Sequence, residues 1–174
     1  MELDILLWLQ SLRTPLLDAF FTFYTRLGDH GELWILISAL FLINKKTRTI
    51  GVLALLALVI EFVTVDFMLK PLVMRDRPFI THPLDILIEI PRGSSFPSGH
   101  TASSFAVAGV LLFNKIKGKW IAITLAAIMG LSRMYLFVHY PTDVLVGCIW
   151  GLIVAYGVTV VYRNKYHNVE KRGF

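Results

Sequence analysis

The feature that most limits the fold of this chain is the length of its apolar runs. Four such runs cover residues 49–69, 98–114, 120–138 and 144–162. Each run is long enough to cross roughly 30 Å of hydrocarbon as a helix. Charged residues make up only 17% of the chain, against about 25% in ordinary soluble domains. The sequence therefore predicts an all-α, polytopic protein of the cell membrane.

The first 43 residues are less regular. Residues 3–27 contain two apolar stretches that are interrupted by polar residues and by Pro15. Residues 33–43 are apolar but short, so a crossing there must include the polar segment 28–32. Counting one crossing in each of these two regions, we expect a bundle of about six transmembrane helices, formed by a single domain over residues 1–174.

Basic residues are concentrated beside the apolar runs. The formal net charge is +5. Three basic stretches border the runs, namely Lys45, Lys46 and Arg48, then Lys115, Lys117 and Lys119, then Arg163, Lys165, Lys171 and Arg172. Positive charge of this kind marks cytoplasmic loops, so we expect both termini in the cytoplasm. The residues do not form one basic stripe with interleaved aromatic residues, and we expect no nucleic-acid partner.

Three polar clusters fall at the predicted outward ends of the helices. They are Lys70 followed by Arg77-Pro78, then Pro97-Ser98-Gly99-His100, then Arg133 with His139 and Asp143. The predicted topology brings the end of the third helix, the start of the fourth, the end of the fifth and the start of the sixth to one face. We therefore expect the three clusters to form one site that faces outward.

The cations of these clusters suit a phosphate ester. Lys70, Arg77 and Arg133 come from three different parts of the chain. Arginine binds phosphate oxygens as a bidentate fork, and lysine acts as a point charge. Ser98 and Gly99 fall at the predicted start of a helix, where a hydroxyl and free backbone N–H groups bind anions. These residues predict a phosphate-binding site.

Two histidines and one aspartate supply the predicted chemistry. We expect Asp143 to fix the tautomer of His139, which leaves the other ring nitrogen free to attack phosphorus. His100 is then the general acid for the leaving oxygen and the general base for water. The same three residues could instead form a metal site. Three neighbouring cations would repel a metal ion, so we expect no metal and no cofactor.

The three clusters resemble the signature of the type 2 phosphatidic acid phosphatase (PAP2) family, which comprises lipid phosphatases related to vanadium haloperoxidases. The likeness covers residues 70–143 in motifs and about 28–162 in hydropathy. It implies metal-independent hydrolysis of a lipid phosphate through a phosphohistidine. It also implies the roles of single residues: phosphate binding by Lys70, Arg77, Ser98, Gly99 and Arg133, attack by His139, proton transfer by His100, and orientation by Asp143.

The resemblance defines the chemistry of the reaction better than it defines the substrate. It suggests phosphatidylglycerol phosphate, undecaprenyl pyrophosphate or phosphatidic acid, and the short chain favours the first two, as in small bacterial members. Two other functions stay open at this point. One is a non-catalytic anion-binding or transport protein, in which the histidines and aspartate would have no task. The other is a haloperoxidase that holds vanadate, which a membrane-embedded chain makes less favourable.

Several residues outside the signature have more than one interpretation. Arg75 and Arg92 are interpreted as surface residues, although a pyrophosphate would need an extra cation. Glu61 lies in the middle of an apolar run and is expected to face the interior of the bundle. Gly147 and Gly151 form a small-residue face that suits either packing within the bundle or dimerisation. The sequence does not indicate the oligomeric state.

Overall fold

A computed structural model describes the backbone of residues 1–172 and side chains up to Lys165, so the side chains of Lys171 and Arg172 lie outside the described residues. The helices are α1 Glu2–Ser11, α2 Pro15–Arg26, α3 Glu32–Ile43, α4 Arg48–Thr64, α5 Lys70–Val73, α6 Pro78–Thr81, α7 Gly99–Phe113, α8 Lys119–Tyr135 and α9 Pro141–Arg172, with a π-helical segment Val65–Leu69 between α4 and α5. No strand occurs in this part of the chain, and the all-α class is confirmed.

Two stretches are long and apolar enough to cross a membrane, judged by length and composition. They are Arg48–Thr81 and Pro141–Lys165. Helices α3 and α7 are apolar but shorter. Helix α7 lies at the centre of the bundle, since most of its residues from Thr101 to Leu111 are buried among the other helices. A short helix can be placed there because its neighbours, rather than lipid, surround it.

The small residues of α9 pack against α7. A Cβ atom on Gly147 would lie 2.6 Å from the carbonyl oxygen of Ser98, and one on Gly151 would overlap the carbonyl of Ala102. Any larger side chain at either position would therefore separate the two helices. Of the two interpretations of this face, the structure favours packing within the bundle.

The predicted first crossing over residues 3–27 is divided into two helices. Helix α2 begins at Pro15, whose fixed φ suits the first helical position, and the Thr14 hydroxyl caps it by accepting a bond from the Leu17 N–H at 3.3 Å. Helix α1 lies across the end of the bundle that holds His139. Its Gln10 side chain donates to the carbonyl of Tyr135 at 2.7 Å. The break at residues 12–14 thus separates a surface helix from a helix that enters the bundle.

Glu2 lies at the start of α9, and the distal part of that helix lies at the other end of the bundle; which side of the membrane holds each terminus stays a prediction. Glu2 bonds to the backbone N–H of Thr142 at 3.0 Å, in the first turn of α9. Helix α9 then runs away from that end to Arg172.

Two of the three basic stretches meet at the end of the bundle opposite His139. Arg163 donates to the carbonyl of Phe113 at 2.6 Å, and Asn114 donates to the Thr159 hydroxyl at 3.2 Å. These contacts bring the 115–119 connection beside the distal part of α9. The connection between α3 and α4, which carries Lys45 and Lys46, falls at the same end. The contacts thus bring two of the predicted basic stretches together, and their position on the cytoplasmic side stays a prediction.

Candidate active site

One cavity of about 810 Å³ collects residues from all three polar clusters. Its wall includes Lys70, Arg77, Gly99, His100, Arg133 and His139. Ser98 and Asp143 do not line it. Ser98 caps the start of α7, and Asp143 lies 3.6 Å from the ring of His139. The cavity continues along α3 and α4, where its wall is apolar and includes Ile35, Leu55, Leu58, Val59 and Phe62. It therefore joins a cationic end to an apolar groove.

The position of His139 is set by the way α8 ends. Phe137 adopts a left-handed φ of 60°, and the N–H of Val138 bonds to the carbonyl of Arg133 at 3.1 Å. The N–H of Phe137 bonds to the carbonyl of Met134 at 3.0 Å. These are the two bonds of a Schellman motif, which reverses the chain direction sharply. His139 follows at once and is only 2% exposed.

The hydrogen bonds of His139 define its tautomer. Nδ1 lies 2.6 Å from the carbonyl oxygen of Ser95, so this nitrogen carries the proton and donates it. Nε2 faces the guanidinium of Arg77 at 3.2 Å. Burial lowers the pKa of His139, and the charges of Arg77 and Arg133 lower it further. The ring is therefore neutral at pH 7, and Nε2 keeps an unshared electron pair at the cavity.

Asp143 is close to His139 but is not its direct hydrogen-bond partner. Its Oδ2 lies 3.6 Å from Nδ1 of His139, which is beyond hydrogen-bond distance. The same oxygen accepts bonds from the Ser95 hydroxyl and, at 2.8 Å, from the N–H of Tyr140. The expectation that Asp143 itself fixes the tautomer is corrected: the carbonyl of Ser95 does so, because it lies nearer to Nδ1.

Arg75, which the sequence analysis interpreted as a surface residue, is partly buried and contacts Asp143 behind the cavity. Its Nη1 donates to Oδ1 of Asp143 at 2.7 Å. Its guanidinium also lies 4.0 Å from the ring centre of Tyr140, a cation–π distance. Arg75 reaches these partners because the chain after α5 folds back over the start of α9.

Arg77 is held rigidly beside His139. It is 4% exposed. Its guanidinium donates to backbone carbonyls of Val138 at 3.0 Å, Gly93 at 3.1 Å, Ser94 at 3.2 Å and Arg92 at 3.3 Å. Because the segment that follows Arg92 also carries Ser95, the same guanidinium orders the backbone that binds Nδ1 of His139. Arg77 thus combines a charge at the cavity with a structural role.

Arg133 retains an unused donor. Its side chain is 2% exposed, and its Nη1 donates to the hydroxyl of Thr25. Its Nε is buried and has no acceptor among the residues that the structure describes. A buried donor without a partner is costly, and Arg133 also belongs to the wall of the cavity.

Lys70 and Gly99 face each other across the cationic end of the cavity. The Lys70 ammonium pairs with Asp66 at 2.6 Å, one helical turn earlier. A Cβ atom on Gly99 would lie 3.6 Å from Nζ of Lys70. Ser98 caps α7 and accepts a bond from the Thr101 hydroxyl at 2.9 Å. The glycine therefore leaves the backbone at the start of α7 open toward the ammonium.

His100 has a partner that the sequence analysis missed. Its Nε2 lies 3.0 Å from Oδ1 of Asp29, in the connection between α2 and α3. The bond from His100 holds the pKa of the Asp29 carboxyl below its usual range, and the charge of Arg133 adds to this effect. A signal was present, since Asp29 belongs to the polar segment 28–32 that interrupts an apolar region.

The alternative metal site finds no set of ligands. Up to Lys165, no three side chains of His, Cys, Asp or Glu form a group suited to a metal ion. Asp143 is turned toward Arg75 and Ser95, and His100 toward Asp29. The three residues considered for a metal therefore have other partners.

Comparisons with known proteins agree with this geometry. The sequence profile of the PAP2 superfamily matches residues 46–167. The undecaprenyl-diphosphatase of Sulfolobus acidocaldarius is 33% identical over 142 residues, which are 80% of this chain and 68% of that protein. The crystal structure of LpxE from Aquifex aeolicus superposes with a TM-score of 0.80 at 32% identity, over 91% of this chain and 94% of that one. The PAP2-type phosphatidylglycerolphosphate phosphatase of Bacillus subtilis gives a TM-score of 0.76 at 28% identity, over 92% and 84%.

Proposed function

The chain belongs to the PAP2 superfamily and is a membrane lipid phosphatase, and on this premise we propose that His139 is the nucleophile of a metal-independent reaction. The observation that carries the proposal is the Nε2 atom of a neutral, buried imidazole at a cationic cavity. Lys70, Arg77 and Arg133 hold the phosphate oxygens there. Charge that spreads over those oxygens in the transition state is then stabilised by fixed cations.

The proposed reaction has two steps. Nε2 of His139 forms a bond to phosphorus while the bond between phosphorus and the lipid oxygen breaks, and His100 gives that oxygen a proton. His100 then takes a proton from water, whose oxygen attacks phosphorus and releases phosphate from His139. The phosphorylated ring is positively charged while Nδ1 keeps its proton. Asp143, at 3.6 Å from Nδ1, stabilises that charge.

The proposed substrate is a phosphate or diphosphate ester of a membrane lipid. The apolar part of the cavity along α3 and α4 suits a hydrocarbon tail, and the cationic end suits the headgroup. The favoured substrates are phosphatidylglycerol phosphate and undecaprenyl pyrophosphate, and phosphatidic acid is the third candidate. A diphosphate needs a further cation. Arg92 is exposed and lines the cavity, whereas Arg75 is bonded to Asp143, so Arg92 is the proposed contact for a second phosphate.

Phosphate release by purified protein in detergent tests this function. We expect release from at least one of these three lipids, little from a soluble phosphate ester, and no loss of activity with excess EDTA. The rank order among the lipids identifies the headgroup. Loss of activity in EDTA that returns with added metal would contradict the metal-independent reaction. Binding of lipid phosphate by folded protein without any release would favour the binding or transport function.

We also propose that the cavity faces outward and that the basic end of the bundle lies in the cytoplasm, following the positive-inside rule. In a Cys148→Ala background, a cysteine at Lys117 is expected to resist an impermeant thiol reagent in intact cells. A cysteine at Asp4, which is exposed on α1, is expected to react. Permeabilised cells should label both positions, which provides the control. The reverse pattern in intact cells would place the cavity in the cytoplasm.

A further inference from the structure

Glu2 and Arg75 belong to a network of polar contacts that the reaction above does not use. Arg75 Nη1 donates to Asp143 Oδ1 and to the Thr142 hydroxyl, each at 2.7 Å. Arg75 Nη2 donates to Glu2 Oε2 at 2.7 Å. The guanidinium therefore connects the first turn of α1 with the first turn of α9. These partners are 67 to 73 positions from Arg75 along the chain.

Glu2 also binds α9 directly. Its Oε1 accepts from the backbone N–H of Thr142 at 3.0 Å and from the hydroxyl of the same residue. Backbone N–H groups in the first turn of a helix have no acceptor within the helix, and negative charge is favourable there. Glu2 therefore caps α9 from outside and at the same time holds Arg75 on its other oxygen.

The burial of Asp143 shows why this network matters. The carboxylate has no exposed side-chain surface, and a buried charge needs an opposite charge and hydrogen bonds. His139 is neutral, so it does not balance the carboxylate. Arg75 is the cation in contact with it. Ser95 and Tyr140 hold its other oxygen, Oδ2, on the side of His139.

We propose that Arg75, locked by Glu2, is a positioning residue that keeps the charged carboxylate of Asp143 directed at the His139 ring. The proposal rests on the proposed roles of His139 and Asp143. Arg75 does not touch the reacting atoms. It fixes Oδ1, so that Oδ2 stays beside Nδ1 when the phosphorylated ring becomes positive. Helix α1, whose sequence lies outside the family signature, thereby becomes part of the active-site support.

The test measures kcat and KM for Arg75→Ala, Arg75→Lys and Glu2→Gln with the best lipid of the panel. Arg75→Ala is expected to lower kcat by about 10- to 100-fold, by analogy with the loss of a hydrogen-bond partner of a metal-ligating residue. KM should change little, because the cavity cations remain. Arg75→Lys should recover part of kcat, and so should guanidinium ion added to Arg75→Ala. Glu2→Gln should lower kcat less than Arg75→Ala does. The double variant Glu2→Gln with Arg75→Ala should have the same kcat as Arg75→Ala alone.

Arg13→Ala is the matched control. Arg13 pairs with Asp18, and its side chain is 28% exposed against 27% for Arg75, but the pair has no link to Asp143. Its kcat should stay near wild type. Wild-type kcat in both Arg75→Lys and Glu2→Gln, or a loss in Arg75→Ala equal to that of Arg13→Ala, would overturn the proposal. A rise in KM with unchanged kcat would instead make Arg75 a substrate contact. Activity in His139→Ala would mean that the proposed function itself had failed.

Discussion

His139→Ala is expected to abolish phosphate release while lipid phosphate still binds. Without Nε2 no bond to phosphorus can form, and loss of a nucleophile lowers kcat by about 10⁴-fold or more. Lys70, Arg77 and Arg133 remain at the cavity, so the headgroup keeps its cationic contacts. The measurements are kcat with the best lipid of the panel and equilibrium binding of a labelled lipid phosphate in detergent.

His82→Ala serves as the control for this variant. His82 is exposed and lies outside the cavity wall, so its loss should leave kcat within about twofold, as for most surface substitutions. Thermal unfolding of both variants shows whether the bundle is intact. Undiminished release by a folded His139→Ala protein would exclude a phosphohistidine at this position. If His139→Ala lost both lipid binding and phosphate release, the main role of the His139 ring would be to position the guanidinium of Arg77.

The sequence predicted the parts of this molecule that depend on local pattern. Apolar runs predicted the α-helical bundle, and the turn residues between them placed Lys70, His100 and His139 at one end. Small residues such as Gly151 predicted close helix packing but not its partner. The structure supplies that partner, since the glycine lies against the carbonyl of Ala102. Helices and the order in which they follow one another can be predicted in this way because they depend on residues that are close in sequence.

The sequence did not predict contacts between distant segments. Glu2 was not considered because a single acidic residue near a chain end carries no pattern, and Arg75 lay beside the motif rather than in it. The choice of Ser95 as the partner of Nδ1 depends on a backbone carbonyl, which every residue has. The position of α1 across the end of the bundle depends on these contacts, so local pattern does not predict it either.

Arg133→Ala is expected to lower kcat/KM by about 10²- to 10³-fold, or roughly 3–4 kcal/mol, the effect of losing one fixed donor to a developing charge. Thr25 anchors one end of the fork, and the buried Nε has no other acceptor in the described part of the chain. Arg133→Lys should restore little, because an ammonium lacks both the fork and a donor at the Nε position. Inhibition by vanadate or inorganic phosphate should weaken in parallel.

The stability of the ligand-free protein should change little on Arg133→Ala. A buried guanidinium with an unused donor destabilises the empty fold, so its removal offsets the loss of packing, and Tm should fall little. Arg26→Ala, at an exposed position on α2, should change neither activity nor phosphate inhibition. Wild-type phosphate inhibition in Arg133→Ala would show that Arg133 does not bind the headgroup. A large fall in Tm with unchanged inhibition would make it a packing residue.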